Sequence, residues 1–488
     1  MFDFFKNIAQ KNSCSMTGAC SIHPSLSALY QVILNEIREI SFYLVKLKEF
    51  KIDDFDALKL CLDGLSVFLI NTSFNEEKYL IFLKKLNETS KKIKEIYLNY
   101  CKNHDFPNET IDNNFSYEDN FTISQLINYS QMNLMNKQRN LDRTKQRLFE
   151  LITIFARLCA VEVVKIKKIK PEFNKFDYEI IRFFALTNGY SIRNEKIIRR
   201  IIEFSNFALQ IKEKLASLYE ERYGKKESAQ IETSSIEGHC ILVSGDDLDN
   251  LEMLLKTINE MDIKEKINVY TNSALVLAHF YPYFKNNKFL KGHLDSNNIE
   301  YDFSTFAGPI LITSNFVQKI DNLYRGEIFS NKLISYSKVI DIKNNDYKPL
   351  IDIALKSKKC SEIKAKTLHI NYNRKSVQKF ISKIEEKEII IVSGMINENH
   401  SIENCKDKKI VKINCPLEND ILIDTIKELK AKKIKVVVFF AQCNFANLGM
   451  LLSLLAQDVE LHIANCSHVL INPHIIESLR EDFDVSII

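Results

Sequence analysis

The sequence predicts a helical domain followed by two α/β domains, and three observations support this fold class. Long segments of the first half carry apolar residues three and four positions apart, which is the spacing of an amphipathic helix. From about residue 236 onwards, short apolar runs alternate with helical segments, as strands and helices do in α/β proteins. Both α/β parts contain a strand that ends in Ser-Gly. The predicted fold class is therefore α plus α/β: an N-terminal helical bundle and two Rossmann-like domains with mostly parallel sheets.

Size and composition set the broad expectations. A chain of 488 residues is long enough for two to four domains. Its net charge of +4, from 67 basic and 63 acidic residues, is too balanced to favour a nucleic-acid partner. No run approaches the roughly 18 apolar residues of a membrane span, and no secretory signal opens the sequence, so no membrane partner is expected. The eleven cysteines are therefore expected to be reduced, mostly buried thiols of a cytoplasmic protein.

The first half is predicted to form a helical bundle. Pro24 and Ser25 open its first helix, and Glu36, Arg38 and Glu39 lie off the apolar stripe of that helix. The stripe itself repeats at helical spacing and consists of Leu29, Ile33, Ile37, Ile40, Leu44 and Leu47. Further helices are predicted over 54–70, 75–104, 122–165, 176–187 and 194–223. A polar linker is expected from Tyr223 to about Glu237.

The second half is predicted to alternate strands and helices in two consecutive domains. The predicted strands are Cys240–Val243, Ile267–Tyr270, Ile310–Thr313, Val339–Ile342, Ile389–Val392, Ile410–Ile413, Ile434–Phe440, Val459–Ile463 and Val485–Ile488. The predicted helices are Leu248–Ile258, Ala274–Phe284, Tyr347–Lys356, Lys375–Lys387, Asp420–Lys430, Asn447–Leu455 and His474–Arg480. The resulting domain boundaries are 1–23 for an N-terminal segment with two cysteines, 24–235 for the bundle, and 236–364 and 365–488 for the α/β domains.

The turn after the first of these strands, Ser244-Gly245-Asp246-Asp247, is the place where an α/β protein usually carries its chemistry. Its carboxylates are candidates for a catalytic acid or a metal ligand. The alternative is that they cap the following helix, where negative charge is favourable, and this alternative is preferred. Ser244-Gly245 and Ser393-Gly394 could each hold an anion at a helix N-terminus. Neither extends into a glycine-rich fingerprint of dinucleotide binding.

The cysteines and histidines give weaker signals. Cys14 and Cys20 lie in a short polar stretch and could bind part of an iron–sulfur cluster, but two spare loop thiols are the preferred interpretation. His279 is expected to be structural, with its cation favoured near a helix C-terminus. Cys415 and Cys443 follow predicted strands, a suggestive place, although a free buried cysteine is the common case. No nucleophile elbow, P-loop or zinc-finger pattern is present.

Several motifs, taken together in order, carry a resemblance to a known family. They are Gly238–Leu248, Val269–Thr271, Ala278–Pro282, Phe306–Asn315, Leu451–Leu455 and Leu470–Pro473, with Cys14 and Cys20 near the start. In these segments the chain resembles the hybrid cluster proteins, also called prismane or hydroxylamine reductase proteins, which are related to carbon monoxide dehydrogenases. The resemblance spans nearly the whole chain and implies a helical domain followed by two α/β domains.

The resemblance also implies two metal centres in the family: a four-cysteine cluster near the N-terminus, and an iron–sulfur–oxygen hybrid cluster held by one His, two Glu and several Cys. Most of the matching ligand positions are changed in this chain. Asp246 stands for the family's His, Ala274 and Asn444 for its two Glu, and Phe316 and Met395 for Cys. A family Lys is replaced by Ala446, whereas Cys415 matches a family Cys. The first N-terminal cysteine pair is missing, with Asp3 and Lys6 near those places.

These replacements predict a divergent family member without the hybrid cluster and without reductase activity, because an iron–sulfur centre needs several thiolates. Such a protein would act by binding or regulation, as a homodimer or with a true family enzyme. The alternative is an active iron–sulfur oxidoreductase with a remodelled site that uses Asp246, Cys415 and Cys443. A third interpretation is an iron–sulfur cluster shared between two chains through Cys14 and Cys20. Residues that could still bind metal are therefore Cys14, Cys20 and Cys415.

Overall fold

The computed structural model describes most of the chain. The described residues are 24–67, 74–111, 121–135, 141–261, 263, 267–294, 299–313, 324–334, 339–362, 367–370, 381–394, 409–413, 419–441, 459–463 and 485–487. Some predictions fall outside them: the helices Asn447–Leu455 and His474–Arg480, most of the helix Lys375–Lys387, and the N-terminal segment 1–23.

The first half is helical, as predicted. Its helices are α1 Pro24–Glu49, α2 Phe55–Ser66, α3 Glu76–Asn103, α4 Ile123–Tyr129, α5 Arg143–Ile169, α6 Asp177–Ala185 and α7 Asn194–Tyr223. Every residue of the predicted α1 stripe is at most 3% exposed. Glu36 and Glu39 lie off the stripe and are nevertheless buried. Their carboxylates accept hydrogen bonds from Asn87 Nδ2 (2.8 Å) and Ser90 Oγ (2.9 Å) on α3, which offsets the cost of removing them from water.

The single helix predicted over 122–165 is wrong, because a new helix begins at the Asp142 cap inside this range. Thr122 forms a capping box with Gln125 at the start of α4. Asp142 caps α5, where its Oδ1 accepts a hydrogen bond from Lys145 N at 2.9 Å. Both caps satisfy backbone N–H groups that have no partner inside a first helical turn. Apolar spacing continues through both helices, so the period alone does not reveal the break.

The middle of the chain forms a parallel sheet covered by short helices. The strands of this part are β1 Ala229–Glu232, β2 His239–Ser244, β3 Ile267–Asn272, β4 Leu290–His293, β5 Ile310–Ile312, β6 Ile328–Ser330, β7 Ile340–Asp341 and β8 Thr367–Ile370. The helices are α8 Leu248–Glu260, α9 Pro282–Lys285, α10 Ile299–Thr305 and α11 Lys348–Lys356. Within the described residues, six strands form one sheet in the order β4-β3-β2-β5-β6-β7, with every neighbouring pair parallel. The strands β1 and β8 pair antiparallel.

Two predictions for this part need correction. The linker expected between Tyr223 and Glu237 contains strand β1, whose residues Ala229 and Ile231 are buried. The helix expected over Ala274–Phe284 is instead a 3₁₀ segment, Ser273–Phe280, followed by α9. Tyr281 between them is extended (φ −93°, ψ 129°) because Pro282 disfavours a helical conformation in the residue before it.

The C-terminal part forms a second parallel sheet. Its elements are β9 Glu388–Gly394, β10 Lys409–Ile413, α12 Asn419–Ala431, β11 Lys435–Ala441, β12 Glu460–Ile463 and β13 Val485–Ile487. Within the part of the chain that is described, the strand order is β10-β9-β11-β12-β13, and all of these pairs are parallel. The predicted fold class, helices followed by α/β parts with mostly parallel sheets, is confirmed.

The chain divides into two compact units. One contains residues 1–68, 79–215 and 383–488, and the other contains 69–78 and 216–382. The domain boundaries inferred from the sequence remain a prediction. Among the helices of the described residues, none is both long and apolar enough to span a membrane.

One disulfide contradicts the expectation of reduced thiols. Cys240 on β2 is bonded to Cys360, which follows α11. Their separation of 120 residues gives no local sequence signal of the pairing. Cys61, Cys101 and Cys159 are buried free thiols, as expected for core cysteines.

Candidate functional site

The candidate site lies where the strands of the middle sheet end. In the order β4-β3-β2-β5-β6-β7, the chain proceeds outward from β2 on one side and from β5 on the other. Ligands of open parallel sheets bind at the carboxyl ends of the strands where this reversal occurs. We call this region the carboxyl edge. It comprises Ser244–Asp247 after β2, Asn272–Ala274 after β3, Thr313 after β5, and Asn331 and Lys332 after β6.

The turn after β2 is fastened to the end of β5. Gly245 has φ +129°, a backbone conformation that residues with a side chain rarely adopt. The backbone N–H and the hydroxyl of Thr313 both donate to Ser244 O, at 2.8 Å and 3.1 Å. Asp247 N–H in turn donates to Thr313 Oγ1 at 3.4 Å. The two strand ends at the reversal point are thus joined by Thr313.

Asp247 is the N-cap of α8. Its Oδ1 accepts hydrogen bonds from the backbone N–H groups of Asp249 (3.1 Å) and Asn250 (3.4 Å). Its Oδ2 forms an ion pair with Lys332 Nζ at 3.1 Å, and the two side chains are only 2% and 16% exposed. The capping interpretation therefore describes Asp247, and a cation of the protein itself offsets the charge of its carboxylate.

Asp246 and Ala274 occupy two positions where the resemblance implies cluster ligands. Both are half-buried. Ala274 is the second residue of the 3₁₀ segment that follows β3, and its methyl group has no atom that can coordinate a metal. The carboxylate of Asp246 is a hard oxygen donor, which suits iron–sulfur chemistry less well than a thiolate or an imidazole.

The amide of Asn272 links several parts of the carboxyl edge. Ser244 Oγ donates to Asn272 Oδ1 at 2.8 Å. Asn272 Nδ2 donates to Leu294 O at 2.6 Å and to Asp302 Oδ2 at 3.2 Å. Both ends of this buried amide are satisfied by protein atoms, so the edge is held together by its own hydrogen bonds.

His279 forms part of a buried polar cluster beside β3. Thr271 Oγ1 lies 2.8 Å from His279 Nε2 and 3.0 Å from His293 Nδ1. Burial, together with neighbouring His293, lowers the pKa of His279 to about 3. The imidazole is therefore neutral at pH 7. The expectation of a structural His agrees with these contacts, but the expected cation at a helix C-terminus is wrong.

The side chains of this region decide whether it can hold a metal centre. Within the described ranges, no group of three or more His, Cys, Asp or Glu side chains comes together to hold a metal ion. At the carboxyl edge, Ala274 has no donor atom and Asp247 is paired with Lys332. The described residues do not fit the iron–sulfur–oxygen cluster that the resemblance implies.

The other residues that the sequence analysis singles out lie outside the described residues. The thiols that could bind metal are Cys14, Cys20, Cys415 and Cys443, and the replaced family positions are Phe316, Met395, Asn444 and Ala446. Their assignment stays a prediction from the sequence.

The residues that complete the carboxyl edge could not be identified from the sequence. Lys332 follows β6, a strand of three residues that was not predicted. Asn250, at the start of α8, accepts a hydrogen bond from Tyr347 OH at 2.6 Å and another from Asn331 Nδ2. An apolar Ile-Phe pair followed by a polar segment is the only signal that precedes Lys332, and it is too short to identify a strand.

Comparison with known proteins identifies relatives along most of the chain. The model of the Prismane/CO dehydrogenase family matches residues 7–450. A protein of Kosmotoga olearia named "Hydroxylamine reductase" is 25% identical over 405 residues, covering 78% of this chain and 71% of the relative. Proteins of the same name from Thermosipho melanesiensis and Syntrophobacter fumaroxidans are 23% identical over 402 residues and 24% over 396 residues. Each covers 78% of this chain, and 71% and 70% of the respective relatives are aligned. The family resemblance seen in the motifs is confirmed.

Proposed function

The chain belongs to the Prismane/CO dehydrogenase family, and we propose that it is a divergent member that lacks the hybrid cluster and hydroxylamine reductase activity. It would act by binding or regulation in place of catalysis. The observation that carries the proposal is Ala274 at the carboxyl edge, where the resemblance implies a Glu ligand. A methyl group there removes a donor outright, in contrast to a change of one donor type for another.

The surroundings of Ala274 support the same proposal. A site built for a metal has donor groups whose charges the metal offsets. Here Lys332 offsets the Asp247 carboxylate, and Ser244 and Leu294 satisfy the Asn272 amide. These contacts give the carboxyl edge a stable arrangement that needs no metal.

A second candidate function is an active iron–sulfur oxidoreductase with a remodelled site. One observation favours it: Asp246 is half-buried at the reversal point of the sheet and is separate from the Asp247 cap. With Cys415 and Cys443, it would supply one carboxylate and two thiolates. A third arrangement would bind a cluster between two chains through Cys14 and Cys20.

Metal content separates these candidates. The full-length protein is purified without oxygen, and iron, acid-labile sulfide, the visible spectrum and hydroxylamine reduction are measured before and after reconstitution with iron and sulfide. We expect a colourless protein with no turnover. A brown protein with about four or more irons per chain, as clusters of this class give, would overturn the proposal.

Variants assign any iron that is found. Loss of iron in Asp246→Ala or Cys415→Ala would support the remodelled site. Loss of both iron and dimer in Cys14→Ser and Cys20→Ser would support the shared cluster. Asp249→Ala is the matched control, because Asp249 is a neighbouring carboxylate on α8 that already pairs with Arg222 at 3.1 Å.

The partner and the location are part of the same proposal. We expect a cytoplasmic protein that forms a homodimer or binds a catalytically complete family member, and that binds neither nucleic acid nor membrane. Light scattering after size-exclusion chromatography measures the first, and titration with a purified family enzyme measures the second. A protein that is monomeric and does not bind the family enzyme would reject both the homodimer and the complex.

A further inference from the structure

A disulfide between Cys240 and Cys360 lies at the amino end of β2 in the middle unit. Cys240 is the second residue of β2, and its sulfur is bonded to that of Cys360. The two Cα atoms are 6.2 Å apart, within the usual range for a disulfide. The bond closes a loop of residues 240–360, which contains β2–β7 and α8–α11. It lies at the opposite end of β2 from Asp246.

Hydrogen bonds place the two cysteines together independently of the sulfur bond. Gly238 N–H donates to Cys360 O at 3.3 Å, and Cys360 N–H donates to Gly238 O at 2.8 Å. Ser235 Oγ donates to Ser361 O at 2.7 Å. These hydrogen bonds join the segment before Cys240 to the backbone of Cys360 and Ser361. Two thiols in the same places would therefore already be positioned to react with each other.

Burial makes the pair selective and slow to exchange. Cys240 is 0% exposed and Cys360 is 6% exposed, so an external thiolate must reach the Cys360 sulfur first. That attack releases the Cys240 sulfur as a thiolate inside a buried strand, where it is a poor leaving group. Exchange consequently requires opening of the segment around Cys360. Burial also raises the pKa of the Cys61 and Cys159 thiols, which keeps both of them unreactive.

We propose that Cys240 and Cys360 form a reversible thiol–disulfide site that couples the stability of the middle unit to the surrounding redox potential. The reactant is a low-molecular-weight disulfide such as oxidised glutathione. A thiolate of the pair attacks one of its sulfurs and releases one small thiol. The second cysteine then displaces the second small thiol, and the protein disulfide forms. Two protein thiols are oxidised, one small disulfide is reduced to two thiols, and the two protons end on those thiols.

The proposal does not depend on the metal content of the chain. It concerns the amino end of β2, whereas the candidate site lies at the carboxyl edge. In a reducing cytoplasm Cys240 and Cys360 would be two thiols. Oxidation would join them by a disulfide, which closes a covalent loop that contains most of the middle sheet. Closing a loop of this length restricts the unfolded chain more than the folded one and so favours the folded state.

The test uses the full-length protein equilibrated with oxidised or reduced glutathione. Exchange is then quenched with acid, the protein is unfolded, its free thiols are blocked, and peptides are identified by mass spectrometry. We expect a cross-linked peptide pair containing Cys240 and Cys360 after oxidation, and blocked thiols at both positions after reduction. Thermal unfolding of the reduced protein should begin about 10 °C or more below that of the oxidised protein, given the loop length.

Variants tie this shift to the pair. Cys360→Ala and Cys240→Ala should each have the low melting temperature of the reduced wild type in both glutathione buffers. Cys159→Ala, which removes a buried thiol of the helical bundle, should keep the full difference between the buffers. The proposal is overturned if both cysteines are blocked in oxidised glutathione, or if Cys360→Ala still shows the shift. It is also overturned if the disulfide forms with no change in melting temperature.

Discussion

Replacing Asp247 with Ala tests how the carboxyl edge is held together. The substitution removes the N-cap of α8 and the ion-pair partner of Lys332 in one step. Loss of an N-cap side chain costs about 1 kcal/mol. Lys332, whose side chain is 16% exposed, also loses a charged hydrogen-bond partner. That loss costs about 2 kcal/mol for a partly buried group. We therefore expect the free energy of unfolding to fall by about 3 kcal/mol.

The neighbouring residue provides a matched control. Asp246→Ala removes the same carboxylate one position earlier, where the side chain is half-buried and does not cap the helix. We expect its effect on the free energy of unfolding to be below about 1 kcal/mol. Both variants lose one negative charge from the same turn, so the difference in the free energy of unfolding compares loss of the Asp247 cap and ion pair with loss of a carboxylate outside the cap.

The assay is denaturant unfolding of the full-length variants, followed by far-ultraviolet circular dichroism and tyrosine fluorescence. A double-mutant cycle of Asp247→Ala with Lys332→Met isolates the ion pair, and we expect a coupling of about 1–2 kcal/mol. Equal losses of unfolding free energy for Asp246→Ala and Asp247→Ala, or a coupling near zero, would show that the Asp247 cap and its ion pair do not hold the carboxyl edge together.

Two further predictions concern other parts of the middle unit. Because the pKa of His279 is about 3 when folded and 6.5 ordinarily, its contribution to stability is complete above pH 6.5 and is lost progressively as the pH falls from 6.5 towards 3. Between pH 7 and pH 4.5 the free energy of unfolding of wild type should therefore fall by about 2–3 kcal/mol more than that of His279→Gln. Urea titrations that show the same fall for both proteins would reject this. Gly308→Ala should destabilise the protein by about 3 kcal/mol or more, since its Cβ would lie 1.9 Å from the Cys240 carbonyl oxygen. In the control Gly64→Ala, the added Cβ would lie 2.7 Å from Ile37 Cδ1 and 3.3 Å from two ring atoms of Phe82, so its nearest neighbours are side chains and not backbone. We expect its free energy of unfolding to stay within about 1 kcal/mol of wild type; similar losses for both glycines would contradict the steric argument.

The elements that the sequence predicted well are those whose pattern is long. Helix α7 has the predicted bounds, Asn194–Tyr223, and α1 starts at the predicted Pro24. Strand β2 is predictable because its centre, Cys240–Val243, is a continuous apolar run, as is usual in strands buried on both faces. Strand β3 is predictable from Ile267, Val269 and Tyr270, which are residue types that favour strands. Each of these segments offers enough consecutive positions for its period to be recognised.

The misses are short elements whose residues owe their conformation to neighbours. Strand β6 has three residues and β1 has four, so neither shows a period. Strand β1 exists because it pairs with β8, more than a hundred residues later. The 3₁₀ segment before Pro282 was read as helix, although the proline itself was a usable signal of the break.

In the candidate site too, contacts between neighbours in the sequence could be predicted, whereas contacts between distant residues could not. Asp247 could be predicted as a helix cap because its partners, the backbone N–H groups of Asp249 and Asn250, are only two and three positions away. Its partner Lys332 is 85 residues away, and the partner of Cys240 is 120 residues away. Pairs of this kind follow from the packing of the sheet, and no local pattern indicates them. The family motifs locate the edge, whereas the contacts made there are visible only in the structure.

If the chain has lost the hybrid cluster, as proposed above, the two ends of β2 explain how the middle sheet stays folded without it. A shared metal joins several chain segments, and its loss removes those links. At the carboxyl edge, Lys332 and Asn272 link the ends of separate strands through an ion pair and hydrogen bonds. At the amino end, the Cys240–Cys360 bond joins β2 to the segment after α11 covalently. When the disulfide is formed, the strand is secured at both ends by the chain itself. An alanine at position 274, where the resemblance implies a Glu ligand, then removes a metal link without removing these contacts.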